Sequence, residues 1–401
     1  MEVPPVLTNS TLSIKISERL IVPFNTMTTF FLRRSVEKAF QLDEQPADLS
    51  LNPAKVLRSN PPYITSAVDD VMYIVNQVIE RSLATSQRAV VSSVIPTVNR
   101  VLSSDFIGMI QRKMRDESYP KAAIQGAIPP EHIIIAFFVL LNNLDVATDY
   151  IRRIVQSRID IPATVTASDG EATGAAVSIA SIFPFDRDAT LVFSNLKSLQ
   201  QSFESKATEL VSDGIYVVFK NVVKPRLRPI LADTFRDIDY QMTTEELEEL
   251  SQDGGANDGD EDGNEIAVQR QFQKGWDALT KPIARLLTER NFDRLLGTII
   301  SYLGEVLEKR IWSYYGRLNV TGAARLERDV ASIASVAVRG GRYSLREAFA
   351  RCTQICLVMN MEEDELEVSH VAMAAGRKED DFAWRLDQEE RLRARAMTLQ
   401  S

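Results

Sequence analysis

Apolar residues recur at helical spacing from Val22 almost to the end of the chain, and no strand-length alternation stands out anywhere. Positions that return at i, i+3, i+4 and i+7 give each helix one apolar stripe, which must be buried against another helix. Within Ser66 to Leu83, the residues Val68, Val71, Met72, Val75, Val78 and Ile79 keep this spacing. Phe30, Phe31, Val36 and Phe40 mark a shorter helix that ends before the loop Gln45 to Pro62. From Arg88 to Asp116 the stripe is Ile95, Val98, Val101, Leu102, Phe106, Met109 and Ile110, and Pro96 is expected to bend or split it. Pro129 and Pro130 open the segment Glu131 to Ile159, at positions where a helix tolerates proline. Helical patterns continue over Asp186 to Asp237, Ile266 to Leu287, Phe292 to Tyr315, Gly322 to Val338, Ser344 to Met361 and Asp381 to Met397. With 17 Gly, 16 Pro and 7% aromatics in 401 residues, breakers are scarcer than the roughly 12% of an average chain. The expected fold is all-α, with antiparallel helical bundles joined end to end into an elongated stack.

Charge marks the organisation. Gln241 to Asn264 holds nine acidic residues and no Lys or Arg; outside it, 46 acidic residues face 46 basic ones. The formal charge of −9 therefore belongs to one Gly- and Asp-rich stretch, which reads as a disordered linker or loop. The expected division is an irregular N-terminus over 1–20, a helical bundle over 21–240, the acidic segment over 241–264 and a C-terminal bundle over 265–401. Pro162 to Ser181, small and polar without a period, reads as a long loop. No secretory signal is visible at the N-terminus, and the longest uncharged apolar run, Ile133 to Leu141, is nine residues against the roughly 20 of a spanning helix. These features predict a soluble, cytosolic chain. A neutral-to-acidic balance argues against a dedicated nucleic-acid binder.

Candidate chemistry is sparse. Asp69 and Asp70 open a D-D-x-x-D-like pattern of the kind that holds Mg²⁺ in helical prenyl-transferring enzymes, but its fifth position is Tyr73. A solvated first turn is the plainer reading. Asp258 to Gly263 imitates the start of a calcium loop whose twelfth position is Gln269 instead of Glu. Cys352 and Cys356 lie one helical turn apart, without third and fourth ligands, and fit a core stripe with Leu345 and Phe349. His132 and His370 are too isolated for a metal site. Lys220, Lys224, Arg226 and Arg228 form the densest basic cluster, suited to a solvated helix end, an acidic partner helix or anionic head groups. Neither a nucleophile elbow nor a phosphate loop is present, so no enzymatic activity, metal or cofactor is expected.

The stretch NPPYITSAVDDVMYIVNQVIERSLATSQ (Asn60 to Gln87) resembles subunit four of the conserved oligomeric Golgi complex. The resemblance extends over MTTFFLRRSVEKAFQLDE (Met27 to Glu44), FIGMIQRKMRDESYP (Phe106 to Pro120) and FFVLLNNLDVATDYIRRIV (Phe137 to Val155), and it returns in SLREAFARCTQICLVMNMEE and FAWRL. The chain looks like the C-terminal half of the family's, which raises the expectation of a fragment or truncated gene product. The resemblance implies a non-catalytic subunit of a vesicle tether, peripheral on the cytosolic face of the Golgi membrane. Such a subunit acts in intra-Golgi retrograde transport and maintains Golgi structure and glycosylation. The implied partners are the other subunits of the complex, syntaxin-type Golgi SNAREs and a Sec1/Munc18-type protein, with no nucleic acid. The alternatives are a scaffold subunit of an exocyst-like tether and an all-α metal-dependent enzyme.

One residue stands out on the helix expected over Ser344 to Met361. Arg351 shares a row with Ala348, Ile355 and Val358, and an arginine in an apolar row needs an acceptor. Glu347, four residues earlier, is an intrahelical candidate worth about 0.3–0.5 kcal/mol if exposed. By the family resemblance, the arginine pairs instead with Glu390, six residues after Trp384, and joins its helix to the last one. Arg351, Glu390, Glu347 and Trp384 are thus the expected structural and interaction residues.

Overall fold

The computed structural model of the chain describes residues 10–121, 128–159, 179–236, 238–241, 267–339, 342–361 and 384–398. Regular structure among them is helical: α1 (Thr11–Ile16), α2 (Val22–Gln41), α3 (Ser66–Ala84), α4 (Arg88–Val101), α5 (Gly108–Arg112), α6 (Glu131–Ile159) and α7 (Ile179–Ile182) come first. There follow α8 (Asp186–Val218), α9 (Lys224–Thr234), α10 (Ala267–Ala284), α11 (Glu289–Ser313), α12 (Val320–Ala337), α13 (Ala350–Asn360) and α14 (Gln388–Arg395). The all-α bundle architecture expected from the periodicity is the one observed. Most of the acidic segment with its calcium-loop pattern, the polar stretch over 160–178 and His370 lie outside the described residues.

Three local expectations change. Residues 10–20 are not irregular: the Ser10 side chain accepts from the Ser13 amide at 3.1 Å and starts α1, which runs through a π-helical turn, Ser17–Ile21, into α2. Pro96 does not split α4, because it faces outward while Val94, Ile95 and Val98 hold the helix from its buried side. The departure from α geometry comes later, in the π turns Leu102–Ile107 and Lys113–Glu117. Tyr343–Phe349 is a 3-10 helix rather than the first turns of an α-helix.

The chain divides into two compact units, Met1–Val218 with Pro282–Phe292 and Phe219–Lys281 with Asp293–Ser401. In the first, α6 packs along α8, α4 packs on α8, and α2 packs on α3 and α4. Phe40, Phe106 and Phe203 form a row through this core, with ring centroids 5.7 and 6.3 Å apart. By length and composition α6 could cross a membrane, but 67% of its apolar window is buried, as in the core helix of a bundle. Two adjacent asparagines interrupt that apolar helix and tie down chain ends. Asn142 donates to the carbonyls of Tyr63 (3.1 Å) and Leu286 (2.8 Å) and accepts from the Thr288 amide (2.9 Å). Asn143 exchanges hydrogen bonds with Thr65 at 3.0 Å.

In the second unit α12 packs on α13 and α13 on α14. The chain ahead of the acidic segment crosses α12 so closely that a Cβ on Gly322 would lie 1.7 Å from the Tyr240 carbonyl oxygen. There the buried Tyr240 hydroxyl donates to Asp329 Oδ2 at 2.9 Å, with Arg325 Nε 3.9 Å from the same oxygen. Burial pushes the Asp329 carboxyl up to about 6, against the opposing pull of Tyr240, Arg325 and Arg328. A carboxyl whose folded pKa is raised supports the fold best when protonated. Its contribution is complete below the ordinary aspartate range and is lost as pH rises towards 6. Asp329→Asn is therefore expected to gain about 1–2 kcal/mol on the parent between pH 4 and 7 and to plateau above that. Urea midpoints of both proteins across that range provide the check, and a flat difference removes the titration.

Candidate functional site

Charged side chains converge where three segments of the second unit meet: α11, the 3-10/α13 junction and α14. Arg351, in the first turn of α13, is the centre. Its Nε donates to both carboxylate oxygens of Glu308 on α11 at 3.0 Å, and Nη2 adds a 2.8 Å bond to Glu308 Oε1. Nη2 also reaches Glu390 Oε1 on α14 at 2.5 Å, and Nη1 donates to the Arg385 carbonyl at 2.9 Å. One planar guanidinium thus binds one helix side-on and caps the approach to another, which a point charge such as lysine does less well.

Each partner is itself held. Glu390 completes a capping box: its Oε2 accepts from the Asp387 amide at 3.0 Å, while Asp387 accepts from the Glu390 amide at 2.7 Å. Arg351 and the Asp387 amide hold the Glu390 carboxyl below the usual carboxylate range, and Glu308 and Glu390 raise the guanidinium's own proton affinity. Gln354, one turn after Arg351, accepts from the amides of Arg385 (2.7 Å) and Leu386 (3.3 Å). Trp384 lies under the Arg391 guanidinium at 5.0 Å. Glu347 does not pair with Arg351. It sits in the 3-10 segment, where its carboxylate takes the Arg385 guanidinium instead.

Close backbone approach sets this geometry. A Cβ on Gly304 of α11 would lie 2.3 Å from the Ala348 carbonyl oxygen, and Cys352 Sγ donates to the Gly304 carbonyl at 3.4 Å. Glu308 is one turn further along α11 and so comes level with Arg351. Gly304→Ala is expected to cost about 1–3 kcal/mol by forcing the junction off α11. A loss under 0.5 kcal/mol in chemical denaturation would show that the junction can shift freely.

The other candidates stay apart from this cluster. Asp69 and Asp70 are exposed on α3, and Asp69 Oδ1 accepts from the Tyr150 hydroxyl at 2.7 Å. Among the described residues no three His, Cys, Asp or Glu side chains gather as metal ligands would. Cys352 and Cys356 are buried, and burial pushes the Cys352 thiol up to about 12 and the Cys356 thiol higher still. In the basic cluster, Lys224 Nζ lies 4.7 Å over the Tyr302 ring, and burial pushes Arg226 down. Glu308, Gln354, Arg385 and Gly304 were not singled out from sequence. Only Glu308 carried a sign, as an acid in the row of Gly304 and Ile311.

The description "Conserved oligomeric Golgi complex subunit 4, C-terminal" matches residues 137–393, which contain the whole Arg351 cluster. The chain belongs to the conserved oligomeric Golgi complex subunit 4 family. A second family description, "COG4 transport protein, middle alpha-helical bundle", matches residues 1–114. Among relatives named conserved oligomeric Golgi complex subunit 4, that of Arabidopsis thaliana is 26% identical over 362 residues, covering 89% of this chain and 42% of its own length. The Homo sapiens protein is 22% identical over 407 residues, covering 95% of this chain and 46% of its own. The chain spans less than half the length of these relatives. In this subunit 4 family member the interval between the two matched regions, 115–136, begins within the π turn Lys113–Glu117 and ends in the second turn of α6.

Proposed function

We propose that the chain is a non-catalytic part of a Golgi vesicle tether, peripheral on the cytosolic face of the membrane. In this role it supports intra-Golgi retrograde transport, and through it Golgi structure and glycosylation. Its partners are the other subunits of the complex, syntaxin-type SNAREs and a Sec1/Munc18-type protein. Family membership over both matched regions carries this reading. The Arg351 cluster fits a scaffold role: its directed donors are taken by two carboxylates and a carbonyl, so it organises helices. The experiment is replacement of the native gene by a tagged copy. Expected are salt-extractable Golgi fractionation, co-purification of the sister subunits and restored glycosylation. A chain that remains in the cytosolic fraction without sister subunits, while glycosylation stays defective, overturns the proposal.

A further inference from the structure

Between α2 and α3, residues 42–65 form no helix or strand, a length at which loops are usually functional or mobile. Here the loop is tied down from below. The Arg285 guanidinium donates to four of its carbonyls, those of Pro53 (3.2 Å), Ser50 (3.1 Å), Asn52 (3.3 Å) and Lys55 (2.9 Å). Glu131 Oε1 accepts from the Ser50 hydroxyl at 2.8 Å and the Leu51 amide at 2.7 Å. Within the loop, the Ser59 hydroxyl donates to the Ala47 carbonyl at 2.7 Å, and Asn52 Oδ1 accepts from the Ala54 amide at 3.0 Å. All these partners belong to the first unit.

What this scaffold presents is an apolar knob. Val56 is 81% exposed, the most of any large apolar side chain among the described residues. It is flanked by exposed Lys55 and by Arg58, whose side chain is 85% exposed and reaches Asp48 only at 4.0 Å. Such a loop has given up its conformational entropy before any encounter, which is the main cost a binding loop otherwise meets on docking. We propose that this tip docks onto another protein, with Val56 entering an apolar socket whose rim carries carboxylates for Lys55 and Arg58. An acidic rim follows from the two outward cations, and a socket from a lone apolar side chain too small for a flat interface. The inference does not depend on the tether reading.

The test places a photoactivatable diazirine residue at position 56 of the full chain in its native cells and sequences the cross-linked peptides. The expected product is one intermolecular cross-link to a segment bearing Asp or Glu. It should fall about tenfold with Lys55→Glu and Arg58→Glu together, and return when the partner's carboxylates are reversed to lysine. Arg285→Lys, which loosens the scaffold and leaves the Lys55, Val56 and Arg58 side chains in place, should weaken the cross-link, and the tip variants should keep the parent melting temperature. No intermolecular product, a cross-link insensitive to charge reversal, or one to lipid or to this chain's own acidic stretch overturns the docking proposal.

Discussion

Asn142→Ala is expected to destabilise the first unit by about 3–5 kcal/mol, because it strands two buried carbonyls and one amide together. The Tyr63 and Leu286 carbonyls lose their donor at a fully buried side chain, and the part-buried Thr288 amide loses its acceptor. Each unmet buried group costs about 1–3 kcal/mol, which for three is a large share of the 5–15 kcal/mol that hold a domain together. Asn142→Asp separates the terms. It keeps an acceptor for Thr288 but offers nothing to the two carbonyls, and it adds a charge in a dry site, so it should be at least as damaging as alanine. Denaturant midpoints give the size, and hydrogen exchange at the Thr288 amide gives the location. A loss below about 1 kcal/mol for Asn142→Ala would mean that water replaces the side chain.

Helix positions were legible where a stripe meets a long continuous partner. The expected Ser66 to Leu83 and Glu131 to Ile159 differ from α3 and α6 by at most a residue, since local period and tertiary burial agree there. They disagree at the start of the Ser344 to Met361 helix, where the tight approach of Ala348 to Gly304 winds the first turns into a 3-10 helix that no local preference encodes. Pro96 shows the reverse, a local breaker overridden by buried neighbours on the far side of the helix. At the candidate site, Arg351 was visible as a charge in an apolar row, while its closest partner was not. Glu308 is separated from it by a helix and a turn, and the pairing is fixed by the glycine contact rather than by spacing. Asn142 and Asn143, just beyond the apolar run Ile133 to Leu141, carried no sequence signal, because what they hold lies in distant segments.

Arg351→Trp is expected to lower the stability of the second unit by about 2–4 kcal/mol and to loosen α14 selectively. The indole cannot donate to Glu308, Glu390 or the Arg385 carbonyl, so two carboxylates with side chains 21% and 30% exposed lose their counter-charge together. The Arg351 side chain is itself 37% exposed, so solvent screens part of each ion pair. Double-mutant cycles are therefore expected to give about 1–2 kcal/mol for Arg351 with Glu308, somewhat less with Glu390, and under 0.5 kcal/mol with Glu347. Acid supplies an independent sign. Because Arg351 holds the Glu390 carboxyl low, the pair's contribution is complete above the ordinary glutamate range and disappears as pH falls through the lower folded value. The gap between parent and variant should narrow below that range and should shrink in high salt. Hydrogen exchange should place the loosening at 384–398, while α12 keeps its protection. Coupling below 0.5 kcal/mol to both glutamates, or uniform loss of protection across the unit, would make Arg351 a surface charge with no hold on the last helix.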